Sequence, residues 1–121
     1  MKDELKAKFS EAVKLHQNGD LSSAKTIFLE LSKQDPQSAV IFSQLGHVLW
    51  DMRFLNEAAS AFEHAVELAP KLEAVSKGLF HCLWEMGQRD KALEEIKRFQ
   101  SISDSKDYRG IIREIIEKCG D

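Results

Sequence analysis

Two stretches of this chain share one string, His-x-Leu-Trp-acid-Met: His47 to Met52 and, 34 residues later, His81 to Met86. The leucines, Leu49 and Leu83, belong to an ordinary helix core, but a His and a Trp recurring together are not required by packing. An indole offers a large, rigid apolar surface with one donor, and tryptophan is enriched where proteins hold one another. An imidazole one turn earlier can donate to or accept from a peptide backbone. Metal binding is the other chemistry open to His16, His47 and His81. A zinc site places ligand nitrogens about 2 Å from the ion and normally draws i, i+3 or i, i+4 pairs from one helix. No carboxylate or thiolate has a spacing that completes such a tetrahedron, so no metal and no cofactor is expected. Nor is there a nucleophile elbow or a glycine-rich phosphate loop. The many Asp and Glu residues are spread over helix faces, where solvated charge is the usual reason for them. The chain is expected not to be an enzyme.

The interval between the two strings runs through the whole sequence. Leu15, Leu49 and Leu83 are 34 apart, as are Ala24, Ala58 and Ala92, then Phe28, Phe62 and Ile96, and finally Pro36 and Pro70. That period marks a helix–turn–helix unit that stacks on copies of itself. In the first unit Leu5, Phe9, Ala12, Val13 and His16 share one helical face, and Asn18-Gly19-Asp20 breaks the helix. A second helix over Leu21–Gln34 buries Leu21, Ala24, Ile27, Phe28 and Leu31, and Asp35-Pro36 ends it. Unit two reads as helices over Val40–Met52 and Leu55–Ala69, with Arg53-Phe54 as the turn. Unit three reads as helices over Leu72–Met86 and Arg89–Ser101, parted by Gly87. A polar connection rich in capping residues, Ser103 to Asp107, precedes a last helix over Asp107–Lys118, with Gly120 as its stop. Tyr108, Ile111, Ile112, Ile115 and Ile116 lie on one broad apolar face of that helix. A stack of units needs an end cap, so these isoleucines are expected to be core. The polar face alternates Arg113, Glu114, Glu117 and Lys118, unlike the basic face of a membrane-surface helix.

These residues resemble the tetratricopeptide repeats. Unit two matches that family's pattern nearly throughout, at Phe42, Leu45, Gly46, Leu49, Ala58, Phe62, Ala65 and Pro70. Unit one matches at Ala12, Leu15, Gly19, Ala24, Phe28 and Pro36, with Leu31 at a usually small position. Unit three keeps Leu79, Leu83, Gly87 and Ala92, but Phe80 and Phe99 replace small residues and Asp104 replaces the proline. The third hairpin should therefore be splayed, or its aromatics should stack on each other and the cap. The resemblance implies an all-α fold: a right-handed α-solenoid of three repeats plus one capping helix. The whole chain, 1–121, would form one domain, with repeats at about 5–38, 39–72 and 73–106 and the cap at about 107–119.

In such proteins the first helix of each unit lines a concave groove. The resemblance thus places Phe9, Val13 and His16 of unit one in the groove, with Ser43, His47 and Trp50 of unit two and Lys77, His81 and Trp84 of unit three. Trp50 and Trp84 would stand side by side, either anchoring a partner or packed against the neighbouring unit. Family members that clamp the acidic tails of heat-shock chaperones use Lys, Asn and Arg at five groove positions. Here those positions hold Phe9, Val13, Gln44, Ala74 and Gly78, none of them cationic.

The composition is that of an ordinary globular protein, with 43% hydrophobic and 31% charged residues. Net charge is −3 and the basic residues are dispersed, so no nucleic-acid partner is expected. No apolar run approaches the roughly 20 residues of a membrane span, and Met1 to Val13 has no signal-peptide core. Cys82 and Cys119 lie in different helical segments without metal spacing, which fits free thiols in a reducing cytoplasm. The expected function is non-catalytic binding of a protein or peptide partner in the groove, as a monomeric adaptor, co-chaperone or cognate partner. The alternative is a self-assembling module that forms a homo-oligomer through exposed Trp and Ile faces.

Overall fold

The structure, a computed structural model, describes residues 2–119, so Gly120 lies outside the described residues. The described residues form seven helices: α1 (Asp3–Gln17), α2 (Leu21–Gln34), α3 (Ala39–Asp51), α4 (Leu55–Leu68), α5 (Glu73–Glu85), α6 (Arg89–Gln100) and α7 (Lys106–Cys119). There is no strand among the described residues. The helices pair as hairpins α1–α2, α3–α4 and α5–α6, stacked so that α3 packs on both α1 and α5. The fold is an all-α solenoid.

Each hairpin turns on one residue in the left-handed conformation. Gly19, Arg53 and Gly87 hold the same place in the repeat, with φ of +85°, +65° and +79°. The amide of the next residue then reaches back to the repeating leucine: Asp20 to Leu15, Phe54 to Leu49 and Gln88 to Leu83, each at 2.9 Å. This ties off the helix carbonyls. Glycine adopts such a φ freely, whereas for arginine it costs roughly 1–2 kcal/mol. Three helix starts, those of α2, α3 and α7, are capped by side chains. Asp20 Oδ1 accepts from the Ser23 amide at 3.3 Å, Ser38 Oγ from Ile41 at 3.3 Å and Ser105 Oγ from Tyr108 at 3.0 Å.

The core falls into two clusters. The larger runs from α1 to α5 and includes Ala12, Phe28, Ile41, Leu45, Ala58, Phe62, Ala65 and Leu79. Its centre is Phe62, whose ring lies against two glycines. A Cβ on Gly46 would come within 2.8 Å of that ring, and one on Gly78 would come closer still. The small residues let neighbouring backbones approach and leave the space that the ring fills.

The smaller cluster joins Phe80, Ala92, Ile96 and Phe99 to Tyr108 of α7. The Tyr108 ring stands edge-on to Phe80 and Phe99, with centroids 5.9 and 5.7 Å away. Of the two outcomes expected for the third hairpin, stacking on the cap is the one observed. The phenol also anchors a buried polar chain. Ser76 Oγ donates to Glu95 Oε2 at 2.6 Å, so the Tyr108 hydroxyl donates to Ser76 Oγ, also at 2.6 Å. Arg98 donates twice to Glu95, at 2.8 and 2.6 Å, and once to the Pro70 carbonyl at 3.0 Å. Burial pushes the phenol's pKa well above its ordinary value, so Tyr108 stays a donor.

One expectation about the cap is corrected. Tyr108 is its buried residue; Ile111, Ile112 and Ile115 are half-buried, and Ile116 is 62% exposed. Ile116 sits about 100° around the helix from Ile115, past the edge of the surface that α7 covers.

Candidate functional site

The first helices bring the expected aromatic and imidazole side chains to two adjoining hollows. One, of about 370 Å³, is lined by His47 and Trp50 of α3, Phe62 of α4, and Ala74, Lys77, Gly78 and His81 of α5. The other, of about 240 Å³, is lined by Phe80, His81 and Trp84 of α5 and by Ile111, Glu114, Ile115 and Lys118 of α7. His81 borders both. The two tryptophans are half-buried, each at its own hollow.

The walls are built from ring contacts. His47 stands edge-on to Phe62 with centroids 5.0 Å apart, and Phe80 lies 5.1 Å from His81 and 5.8 Å from Trp84. A guanidinium covers each indole: Arg53 at 5.7 Å from the Trp50 centroid and Arg89 at 4.8 Å from Trp84. These are cation–π distances.

Several other polar and charged groups along this face meet in pairs. His16 Nε2 meets Asp51 Oδ2 at 2.6 Å, tying α1 to α3. Lys77 Nζ donates to Asp107 Oδ2 at 2.6 Å, tying α5 to α7, and Lys118 donates to Glu114 at 3.0 Å. The bond from Lys77 holds the Asp107 carboxyl below the usual carboxylate range. Burial lowers the pKa of His47, and His16 lowers it further against an opposing pull from Asp51. Burial, and then Lys77, lower that of His81. Both imidazoles are therefore neutral at neutral pH, each with one donor and one acceptor nitrogen.

The structure separates the sequence-derived groove residues. His47, Trp50, Lys77 and His81 share the first hollow, and Trp84 joins His81 at the second. His16 reaches α3 only through Asp51. Phe9 turns inward, edge-on to Phe28 at 5.7 Å, and Val13 also packs against the core. Ser43 is half-buried and lines neither hollow. Phe62, Ile111, Ile115, Arg53 and Arg89 were not anticipated at the groove. Gly46 and Gly78, glycines inside helical stretches, are the signals of close approach around Phe62.

The opposite face has a wider hollow of about 720 Å³ between α4 and α6, lined by charged groups such as Glu63, Glu67, Lys91 and Glu94 and by no aromatic ring. Among the described residues no three His, Cys, Asp or Glu side chains converge on a metal position. Cys82 is a buried free thiol with its pKa pushed up to about 12, which makes it unreactive. Among the described residues no helix is long and apolar enough to cross a membrane.

Residues 39–72, the middle hairpin, match the family described as Tetratricopeptide repeat. A sequence search of curated proteins finds no match. Among solved structures, the first TPR of Spaghetti (RPAP3) bound to the HSP90 peptide SRMEEVD is similar with a TM-score of 0.83. That match covers 97% of this chain and 94% of the other at 13% identity. The Yersinia enterocolitica type III secretion chaperone SycD, in complex with a peptide of the translocator YopD, gives 0.81 over 97% and 90% at 19% identity. A chain of the CopN–Scc3 complex gives 0.82 over 98% and 71% at 16% identity. Likeness at such identities is likeness of fold. The middle hairpin is thus similar in sequence to a tetratricopeptide repeat, and the chain as a whole shares its fold with tetratricopeptide-repeat structures.

Proposed function

We propose that this chain is a non-catalytic interaction module that holds a segment of a partner protein in the groove formed by α3, α5 and α7. The observation that carries the proposal is the pair of half-buried tryptophans, Trp50 and Trp84, each at an apolar hollow beside a neutral histidine. Such sites combine a rigid apolar anchor with hydrogen bonding to a backbone. The Spaghetti and SycD structures, which share the fold, were both determined with a peptide bound. Of the five positions where tail-clamping relatives carry Lys, Asn or Arg, Phe9, Val13, Ala74 and Gly78 offer no polar side chain and Gln44 only an amide, and Lys77 is engaged by Asp107. Recognition here is therefore by apolar side chains and not by a terminal carboxylate. On this reading the protein is an adaptor, co-chaperone or dedicated partner working in the cytoplasm, a compartment that suits the free Cys82 thiol.

The test is binding of peptides selected from a displayed random library with amidated C-termini, followed by calorimetry. Trp50→Ala and Trp84→Ala should each lose about 2 kcal/mol or more of binding, while circular dichroism stays unchanged. Full-strength binding by the double variant would move the site to the opposite face. A second reading, a homo-oligomer built through α7, is favoured by Ile116 at 62% exposure. Light scattering decides it: a mass that rises with concentration and returns to the monomer value in Ile116→Glu would support self-assembly.

A further inference from the structure

The turn between α3 and α4 departs from its two counterparts. Gly19 and Gly87 close the first and third hairpins, and Arg53 does so in the middle one with φ +65°. A residue that is not glycine stays in that conformation only where its surroundings hold it. The contact made by Arg53 is with the groove, where its guanidinium lies over the ring of Trp50 at 5.7 Å. The same arrangement arises at Trp84 by another route. There the cation is Arg89, from the first turn of α6, and the left-handed residue is the glycine. Two different sequence positions thus place a guanidinium on each groove indole.

Three other basic side chains on this face are already engaged: His16 by Asp51, Lys77 by Asp107 and Lys118 by Glu114. Among the described residues neither Arg53 nor Arg89 has a carboxylate partner. Glu85 follows Trp84 in the chain, so the Trp84 end has an acid of its own, whereas Asp51 beside Trp50 is taken by His16. Stacking uses the face of a guanidinium and leaves its N–H donors, which lie in the plane, for a bidentate acceptor. Arg53 is therefore preorganised to receive an anion at the edge of the Trp50 hollow.

We infer that Arg53 is a specificity-determining residue of the groove, selecting a polypeptide segment that seats a bulky apolar side chain beside Trp50 and offers an aspartate or glutamate side chain next to it. The inference rests on the groove reading above and adds the charge of the partner. A glycine at this turn would relax the backbone but leave the acid unread.

The test pans the full chain against the displayed library with amidated C-termini, so that no terminal carboxylate competes. Selected peptides should pair a bulky apolar residue with a neighbouring Asp or Glu. One such peptide and its amide counterpart (Asp→Asn or Glu→Gln) are then titrated against the natural chain, Arg53→Gly, Arg53→Lys and Trp50→Ala. Arg53→Gly should melt at a higher temperature yet bind roughly three- to tenfold more weakly. It should also no longer distinguish the acidic peptide from its amide counterpart. Arg53→Lys keeps the charge without the planar fork and should fall between. Selection without acidic enrichment, or an empty selection, overturns the inference. So does Arg53→Gly binding at full strength while Trp50→Ala fails, a result that leaves the groove reading standing. Full-strength binding by both variants overturns both.

Discussion

The middle hairpin and the last hairpin fill the same space with opposite residue sizes. In the middle, the first helix contributes Gly46 and the second contributes Phe62, whose ring fits between Gly46 and Gly78 of the next unit. In the last hairpin the first helix contributes Phe80 at the place of Gly46, and the second contributes Ile96 at the place of Phe62. Phe42 gives way to Ser76, Ala65 to Phe99, and Tyr108 from the cap supplies the missing ring. The small residues thus serve a neighbouring unit as much as their own. Where a single helix follows, the chain keeps the bulk within the last hairpin and takes one ring from the cap.

This contrast is broken most directly by removing its two central rings. Phe62→Ala should cost about 3–5 kcal/mol in denaturant unfolding, because the cavity opens between two stacked units. Tyr108→Ala removes a ring of similar size at the end of the stack, and its effect should stay local. Hydrogen exchange should speed up in α5 and α6 while α1–α4 keep their protection. Even in the natural chain α6 should open more readily than α4. An equal loss along the whole chain after Tyr108→Ala would show that the two ends of the solenoid are one cooperative unit.

Two glycines sharpen the comparison. Gly78→Ala places a methyl against a ring already flanked on its other side, and should destabilise by about 1–3 kcal/mol despite alanine's better helix propensity. Gly110, in the cap, has nothing near its Cβ position, so Gly110→Ala should stabilise by roughly 0.5–1 kcal/mol. Thermal or chemical unfolding checks both, and the opposite signs are what matter. Tyr108→Phe, which keeps the ring and deletes the hydroxyl, should cost about 1 kcal/mol, since Ser76 retains Glu95 as its partner.

The smallest effect is with pH. His47 and His81, one in each hairpin, both have a pKa lowered in the fold. The unfolded chain therefore takes up protons before the native one does. Stability is retained above the unfolded value of about 6.5 and declines as pH falls through the folded values. His47→Gln and His81→Gln, measured separately by melting between neutral and mildly acid pH, should each flatten part of that decline. An unchanged slope in both would remove these imidazoles as its source.

Much of the scaffold was legible in the residues, for local reasons. Gly19, Pro36, Pro70 and Gly87 act on their immediate neighbours, and α2 and α6 fall within a residue of their expected bounds. The groove was legible where one helix face decides it, at His47, Trp50, His81 and Trp84. It was not legible where docking decides. Phe9 and Val13 face inward because Phe28 and the rest of the core lie behind them. Ile111 and Ile115 become groove wall only because Tyr108 locks α7 against α5 and α6. The left-handed Arg53 carries no propensity signal, and only its alignment with two glycines marks it.

Each helix packs chiefly on the next one or two in the chain. Few contacts therefore have to wait for a long loop to close, which is the condition for rapid folding. Assembly can start in the middle hairpin, which keeps the small-residue pattern most fully, and spread outward one helix at a time. Unfolding follows the reverse order, with the ends fraying first. The groove spans both regimes, with Trp50 on the part that forms early and Trp84 on the part that forms late.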